Sequence, residues 1–521
     1  MIWHIFKKDW KLTWPLVLGV AFLNLLAHIT QYKMGHFGGN PALGPLLHLL
    51  RWSQYLGSIL VIAAVVHQDP TPGVRQDWLV RPIKRSDLLL EKLVFVLLLV
   101  QGPMLATDIL RALLEGFSFH QSLAASFSRA LVLLFALYLP ALAFASLTKN
   151  FTEAILAGVV AFLGGACFSL LLFTLVFGGQ QPRFWVEWSG LAWINQSERG
   201  LLGLTVGVAI LGLQYFRRNT LLSRWLFGGG VLLWVATLVT PWQPAFAVQE
   251  RLSTNRGAAK SLELAFDASA GKLASIIGTN LDERRLPPRD SGDVLVGLPL
   301  HVTGWPDDTM LKADRSEIRI MGESGKWLSA GQGEDLELRN EGPSKGERSV
   351  HHVIRIPADL YVRFKDTPVQ MEIRYSLTLL RLAHSFAIPA LHGDQRMVDI
   401  GWCKTRTNDA RTSVQLSCLQ PGLVPNCGTV FLENPASGQR NPVRSACGMH
   451  YSPFVDTIDG DAVTRFTMTV PFRDTSGLAH YPVDGSQLAD ARVVMRLYNP
   501  VDHFSRRVVI PSIRLSDWVT Q

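Results

Sequence analysis

The sequence predicts an all-α membrane bundle, with a six-span core plus a seventh span, followed by an extracytoplasmic all-β region. Long apolar runs are confined to the first 242 of the 521 residues, and beyond them apolar and polar residues alternate in short segments. The charge changes at the same point: residues 1–242 contain 18 Lys/Arg and 10 Asp/Glu, whereas residues 243–521 contain 32 of each. We therefore place a transmembrane domain at 1–242, a first β domain at 243–384 and a second at 385–521.

Seven apolar runs are long enough, or nearly so, to cross about 30 Å of hydrocarbon. The sixth is the shortest and ends at a clear basic stop, Arg217-Arg218. The predicted spans are 14–32, 46–66, 88–113, 127–147, 154–177, 201–216 and 225–242.

The basic residues of the bundle predict its orientation. With the N-terminus in the cytoplasm, 12 of the 18 Lys/Arg fall on the cytoplasmic side and 6 on the outer side, as the positive-inside rule requires. This predicts a multi-pass protein of the inner (plasma) membrane whose β region is extracytoplasmic. Residues 1–11 set Trp3 and Trp10 against Lys7 and Lys8, which favours a helix in the cytoplasmic interface rather than a cleavable signal peptide.

The connection between the second and third spans, residues 67–92, carries five Lys/Arg. Pro70, Pro72 and Gly73 interrupt regular structure near its start. Ser86 is the predicted N-cap of the next helix. The pattern indicates a structured basic element against the cytoplasmic membrane face.

Four polar residues within the spans are candidates for a functional role, because ionisable groups in a membrane are costly. Asn24 and His28 share one face of the first span at a spacing of four, and Asp108 and Arg111 are close enough in the third span to pair. Two interpretations stay open, a functional site within the bilayer or side chains at its outer edge.

Period-two alternation in the β region is clearest at residues 369–379, and it predicts antiparallel strands. The remaining length suits two β-sandwich-like units with a break near 383–395. Residues 278–292 and 340–349 have the Gly, Pro and charged composition of loops.

Four cysteines cluster in the second β unit: Cys403, Cys418, Cys427 and Cys447. In an oxidising compartment they predict two disulfides, with three possible connectivities. A zinc site is the rival interpretation, but no Cys-x-x-Cys pair is present. The fifth cysteine, Cys167, is predicted to be a small packing residue in its span.

Sequence motifs of enzymes are lacking. We find no phosphate-binding loop of the Gly-x-x-x-x-Gly-Lys-Ser/Thr type, no His-Glu-x-x-His and no Gly-x-Ser-x-Gly. His351 and His352 are adjacent, and on a strand neighbouring side chains point to opposite faces. We expect no catalytic activity from the chain by itself, no cofactor, no metal and no nucleic-acid partner.

Residues 1–220 resemble the membrane subunit of type-2 ABC transporters, the exporter-like permeases. That family has a cytoplasmic stretch between spans two and three with an acidic residue, an apolar pair, a proline beside basic residues, and a helix carrying Lys. Two departures are the segment 69–73 in place of a Glu-x-x-x-Gly-Thr entry, and the added seventh span and β region. The residues that match the family's pattern are Asp77, Trp78, Leu79, Arg81, Pro82, Lys84 and Arg85, followed by Glu91-Lys92.

The resemblance implies that a cytoplasmic ABC ATPase docks on residues 67–92 and that two permease halves, identical or different, pair in the lipid bilayer. ATP-driven closure of the ATPases would push on the stretch and export an unspecified substrate. A second hypothesis, favoured by the large β region, is a membrane-anchored extracytoplasmic binding or sensing protein without transport. An intramembrane enzyme is a weaker third, because no buried catalytic set is found.

Overall fold

The structure is a computed structural model. An all-helical N-terminal part is followed by a region made mostly of β-strands. The residues described are 2–36, 43–70, 84–177, 192–237, 242–271, 293–322, 325–333, 336–340, 349–398, 400–407, 411, 413–419, 427–441, 444–445, 463–469, 483 and 485–519.

The helices of the bundle continue through short π-helical segments at three places, Val96–Gln101, Leu134–Tyr138 and Leu213–Arg217. A further helix, α11, lies in the β region at Ala358–Phe364. The bundle and its exit contain α1 Ile2–His36, α2 Leu43–Val66, α3 Arg85–Phe95, α4 Gly102–Leu114, α5 Phe119–Leu133, α6 Leu139–Ala145, α7 Phe151–Phe177, α8 Ala192–Gly212, α9 Thr220–Ala236 and α10 Trp242–Arg251.

Six helical stretches in the part of the chain that the structure describes are long and apolar enough to cross a membrane. They confirm the predicted six-span core, and many of their large apolar side chains lie exposed on the outside of the bundle. The seventh predicted span, 225–242, falls on α9, which has 17 residues and is shorter than these six. The six stretches are Ile2–Gln31, Pro45–Val66, Arg85–Leu114, Phe119–Ala145, Phe151–Leu172 and Ser197–Arg217.

The N-terminal helix differs from the prediction. It is continuous from Ile2 to His36 with Pro15 inside it, so the predicted interfacial helix is not separate from the first span. Proline removes one backbone donor, but here it does not break the helix. Asp9 is fully buried and points into the bundle, where it finds the partners described below. Burial of Asp9 therefore turns this face of the N-terminal part of α1 towards the other helices of the bundle.

The start of α3 also differs from the prediction, by two positions. The helix begins at Arg85 and Lys84 is its N-cap, with extended backbone and no capping by a side chain. The predicted cap Ser86 lies inside the first turn. Asp87 remains in that turn, where a carboxylate interacts favourably with the helix dipole.

Within the described residues, the β region forms an 11-stranded sheet and a 4-stranded sheet. The large sheet has the strand order β1-β2-β6-β4-β3-β7-β15-β11-β12, with β5 paired to β3 and β13 paired to β11 outside this order, and the small sheet has the order β14-β10-β9-β8. The strands are β1 Glu263–Phe266, β2 Val294–Thr303, β3 Thr309–Met321, β4 Trp327–Gly333, β5 Glu337–Asn340, β6 Ser349–Ile356, β7 Val369–Pro389, β8 Asp394–Met397, β9 Gly401–Thr407, β10 Ser413–Leu419, β11 Cys427–Asn434, β12 Gln439–Arg440, β13 Arg444–Ser445, β14 Val463–Thr469 and β15 Arg492–Ile513.

Two long antiparallel strands, β7 and β15, pair with each other in the large sheet, and both hydrophobic cores of the region include residues from them. The alternation predicted at residues 369–379 is present, and Met371, Ile373 and Leu377 are buried on it. The predicted boundary between residues 384 and 385 falls inside β7, so the chain has no break there. Alternation shows which face of a strand is buried, but not where the strand ends.

Two hydrophobic cores lie along this pair of strands. One is built on Ile373, Leu377 and Phe504, and the other on Ile388 and Met495. The two cores share the strands β7 and β15 instead of being joined by a linker. The predicted loops 278–292 and 340–349 lie almost wholly outside the described residues.

Candidate functional site

Five charged residues from three parts of the chain meet at one end of the bundle, and we name them the basal ionic cluster: Lys8, Asp9, Asp69, Glu91 and Lys92. Lys8 Nζ lies 2.8 and 2.7 Å from the two carboxylate oxygens of Asp69. Lys92 Nζ donates to Asp9 and lies 3.3 Å from Asp69 Oδ2. It is also 3.2 Å from Glu91 Oε2. The cluster thus connects α1, the end of α2 and α3.

The side chains of Asp9, Glu91 and Lys92 are fully buried. Charges taken out of water are tolerated when they are paired, and removing one partner of a buried pair is strongly destabilising. Burial alone would raise the pKa of Asp69, but the charges of Lys92 and Lys8 outweigh it and hold that pKa below its usual value. The cluster therefore has a buried centre of Asp9, Glu91 and Lys92, and Lys8 lies partly exposed at its edge.

Aromatic side chains enclose the cluster. The rings of Phe6 and Phe95 pack with their centroids 5.6 Å apart, which joins α1 to α3 beside the charges. Tyr215, from the π-helical end of α8, is buried in the same hydrophobic core. A low-dielectric surrounding strengthens each charge interaction inside it.

The near end of the 67–92 stretch has a second attachment. His67 Nε2 lies 2.7 Å from Thr148 Oγ1, and its ring meets Phe151 edge-on. Desolvation by burial lowers the pKa of His67, so its ring stays neutral near pH 7. This contact joins the end of α2 to the turn between α6 and α7.

Most of the predicted coupling residues cannot be placed on this junction. Lys84 is exposed at the start of α3, and Arg85 Nη1 donates to the carbonyl of Phe216 at 3.3 Å. Arg218 follows in a left-handed conformation with φ of 54°, and burial and the charge of Arg85 both lower its pKa. The others lie outside the described residues: Asp77, Trp78, Leu79, Arg81 and Pro82.

A second group, the upper polar cluster, contains Asn24, His28, Tyr55, Asp108 and Arg129. His28 Nε2 lies 2.8 Å from Asp108 Oδ1, and Arg129 Nη1 donates to Asp108 Oδ2 at 2.5 Å. Arg129 also donates to the Tyr55 hydroxyl at 3.2 Å. The side chain of Asn24 donates to Thr107 Oγ1 at 2.7 Å, one residue before Asp108. Four helices, α1, α2, α4 and α5, meet here.

The upper polar cluster includes three of the four predicted intramembrane residues. The spacing predicted a pair between Asp108 and Arg111, but the hydrogen bonds of Asp108 described here are to His28 and Arg129 on other helices. The side chain of Arg111 lies 3.9 Å from Glu115, one turn further along the chain. The side chains of Asp108 and Arg111 are almost fully buried. Asp108 is therefore enclosed by the bundle and paired, and both interpretations of its position, within the bilayer or at its outer edge, stay open.

Sequence reasoning missed the basal ionic cluster as a unit. One signal was present: Glu91 and Lys92 lie inside the apolar run 88–113, where a charged pair requires partners. The identity of those partners depends on how α1 packs against α3. It also missed Arg129, whose partner lies 21 residues away on another helix.

One of the predicted disulfides is present. Cys403 and Cys418 occupy directly opposite positions on β9 and β10 and are bonded. Cys427 begins β11, whereas Cys447 lies outside the described residues. Cys167 is a free thiol exposed on α7, so the prediction that it is a packing residue is wrong.

Comparisons with known proteins do not assign a family. No protein-family model matches the chain, and no curated protein matches it. A solved structure with some similarity is a red sea bream transglutaminase, at 10% sequence identity and a TM-score of 0.13. The match covers 53% of this chain and 35% of the transglutaminase chain, and at this TM-score it carries no argument about function.

Proposed function

We propose that this chain is the permease subunit of an ATP-driven ABC transporter, of the exporter-like type, and that a separate ATPase docks on residues 67–92. The observation that carries the proposal is the attachment of both ends of this stretch to α1. Asp69 near its start binds Lys8, and Lys92 at its end binds Asp9.

The residues near the two ends of the 67–92 stretch contact each other. Asp69 and Lys92 are 23 residues apart in sequence, yet their charged atoms are 3.3 Å apart. A force applied between them reaches α1, α2 and α3 together. Removing one partner of a buried pair costs about 3–5 kcal/mol, so we expect the segments that these pairs join to move together. These are the mechanical properties that an ATPase-driven coupling element needs.

The contacts also support the proposed topology. The ionic cluster joins chain segments that the basic-residue count assigns to a single side, the cytoplasm. The turn after α4 contacts the β region, and both are predicted to lie on the other side. The proposal includes a seventh span at α9, a β region outside the cell membrane organised as two sandwich-like units, and pairing of two permease halves.

The test is purification of the tagged chain from its own membranes, followed by measurement of ATP hydrolysis and identification of bound subunits. We expect an ATP-binding protein to co-purify with the unaltered chain. Trp78→Ala with Arg81→Glu should lose that protein, because the pair removes the apolar anchor and reverses a charge on the docking stretch.

The matched control is Arg51→Glu with Trp52→Ala, which makes the same substitutions at the start of the second span. It should keep the ATPase. If neither the unaltered chain nor the control retains an ATP-hydrolysing partner, transport is excluded as the function. The remaining candidate is then an anchored binding or sensing protein, which the docking of a large β region onto the bundle favours.

A further inference from the structure

The small β-sheet is packed between the large sheet and the helix bundle. On β9, Cys403 belongs to the core shared with the large sheet. The alternate residues Trp402, Lys404 and Arg406 face the turn between α4 and α5. Successive side chains on a strand point to opposite faces, so the hairpin contacts the large sheet with one face and the α4–α5 turn with the other.

Polar contacts secure the hairpin to the end of α4. Lys404 Nζ donates to the carbonyl of Gly116, and Arg406 Nη2 donates to the carbonyl of Glu115 at 2.6 Å. Lys404 also lies over the ring of Phe117, 5.6 Å from its centroid. Cationic side chains at a helix C-terminus interact favourably with the carbonyls and with the helix dipole.

The turn that receives these contacts has a defined geometry. Gly116 is left-handed with φ of +85°, and the N–H of Phe117 bonds to the carbonyl of Ala112 while that of Gly116 bonds to Leu113. This is the Schellman arrangement, in which a glycine ends the helix. A Cβ on Gly116 would meet Arg406 Nη2 at 3.1 Å, so the position favours glycine for both reasons.

Apolar side chains complete the contact. Ala112, Phe117 and Ala125 from the bundle form one cluster with Leu419 and Trp402 of the hairpin. Leu419 and Trp402 are cross-strand partners, directly next to the bonded pair Cys418 and Cys403. The disulfide therefore holds together the two strands that carry the apolar contact.

The helical stretch that the hairpin contacts also carries a residue of the basal ionic cluster. The span Arg85–Leu114 is a single helical stretch, with Lys92 near one end and the hairpin contact at the other. At about 1.5 Å per residue, Lys92 lies roughly 35 Å from Glu115. Asp108 of the upper polar cluster lies on the same stretch, two turns from the contact.

We propose that the β9–β10 hairpin is a latch: while it grips the α4–α5 turn it holds the span Arg85–Leu114 in one position, and its release changes the basal ionic cluster. The β region thereby controls the opposite end of the bundle. The proposal rests on these contacts and does not require the transport function.

Hydrogen–deuterium exchange on the full chain in lipid nanodiscs tests the latch. The variant Lys404→Ala with Arg406→Ala removes the polar grip. We expect exchange roughly tenfold faster in peptides covering 112–118, the change expected for losing hydrogen bonds of ordinary strength. The latch also requires faster exchange in peptides covering 84–92, at the far end of the span.

The control Arg440→Ala with Arg507→Ala removes two positive charges from the β region at sites that pair with Glu433 and Glu372. It should leave both peptides unchanged. Faster exchange confined to 112–118, or unchanged exchange throughout, would show a static contact and overturn the proposal. If the alanine pair fails to fold, judged by gel filtration, Lys404→Gln with Arg406→Gln and the single variant Trp402→Ala are read in the same way.

Discussion

Lys92 Nζ and Asp69 Oδ2 lie 3.3 Å apart and join the two ends of the basic stretch. Through Lys8 and Asp9 the same junction reaches the N-terminal helix. The helix α1, the residues that follow α2, and the helix α3 thus share one largely buried set of charges. The consequences are testable without knowing what the chain transports or binds.

Lys92→Met removes the buried cation that pairs with the buried carboxylates of Asp9 and Glu91, and Lys8, 3.4 Å from Asp9 Oδ1, then remains as a cation beside Asp9. We expect a loss of stability of about 3–5 kcal/mol, as for other broken buried pairs. Thermal unfolding in detergent, followed by size-exclusion chromatography, measures it. Adding Asp9→Asn should recover part of the loss, because the two residues interact directly.

Lys11→Met is the matched control; Lys11 lies on α1, the helix that carries Asp9, and its side chain is exposed. Its effect should stay within about 0.5 kcal/mol. Equal melting temperatures for Lys92→Met and Lys11→Met would contradict a buried ionic junction.

Removing the bond between Cys403 and Cys418 by a double alanine substitution should destabilise the β region. The bond closes a loop with a sequence separation of 15, for which about 3 kcal/mol is typical. Intact-mass analysis after alkylation without reduction counts the free thiols of the unaltered chain. We expect one, Cys167, if the predicted second bond joins Cys427 to Cys447, and three if that bond is absent.

The pH dependence of stability should include a contribution from His503. Its Nδ1 lies 2.9 Å from Gln249 Nε2 of α10 and 2.8 Å from Thr378 Oγ1. Burial lowers the pKa of His503 to about 4, against the opposing charge of Asp502. The unfolded chain takes up a proton below about pH 6.5 and the folded chain does so only near pH 4. Stability is therefore constant above that window and falls as the pH drops through it, by up to about 3 kcal/mol.

His503→Asn keeps a neutral hydrogen-bonding group near the position of Nδ1 and cannot be protonated in this range. Melting of the full chain between pH 7 and 5 should fall less steeply for this variant than for the unaltered protein. Parallel curves would show that His503 does not titrate as its burial requires.

Topology is tested with two single cysteines in a background where Cys167, Cys427 and Cys447 are replaced by alanine. A cysteine at Ser344 should react with an impermeant thiol reagent in spheroplasts, because the β region is predicted to be outside. A cysteine at Asn219, between α8 and α9, should react only after lysis. Reaction of both in intact spheroplasts, or of neither, contradicts seven spans with a cytoplasmic N-terminus.

The six-span core could be predicted because crossing a membrane requires about 20 consecutive apolar residues, which is a property of local sequence. Alternation at residues 369–379 predicted a strand for the same reason. The polar candidates Asn24, His28 and Asp108 were found because charged and polar side chains are rare within spans. The interactions of these three residues could not be predicted, because their partners lie on other helices and depend on how the helices pack.

The sequence by itself determined the helical and β halves of the chain, the position of the basic stretch and the set of cysteines able to form disulfides. The tertiary structure decided that Asp9 pairs with Lys92, that Asp108 lies between His28 and Arg129, and that Cys403 bonds with Cys418. The physical reason is that a charge or a thiol specifies what kind of partner it needs, and not which one. That choice is made when the α1 face packs against α3 and the β9–β10 hairpin seats on the α4–α5 turn, which brings residues distant in sequence within bonding distance.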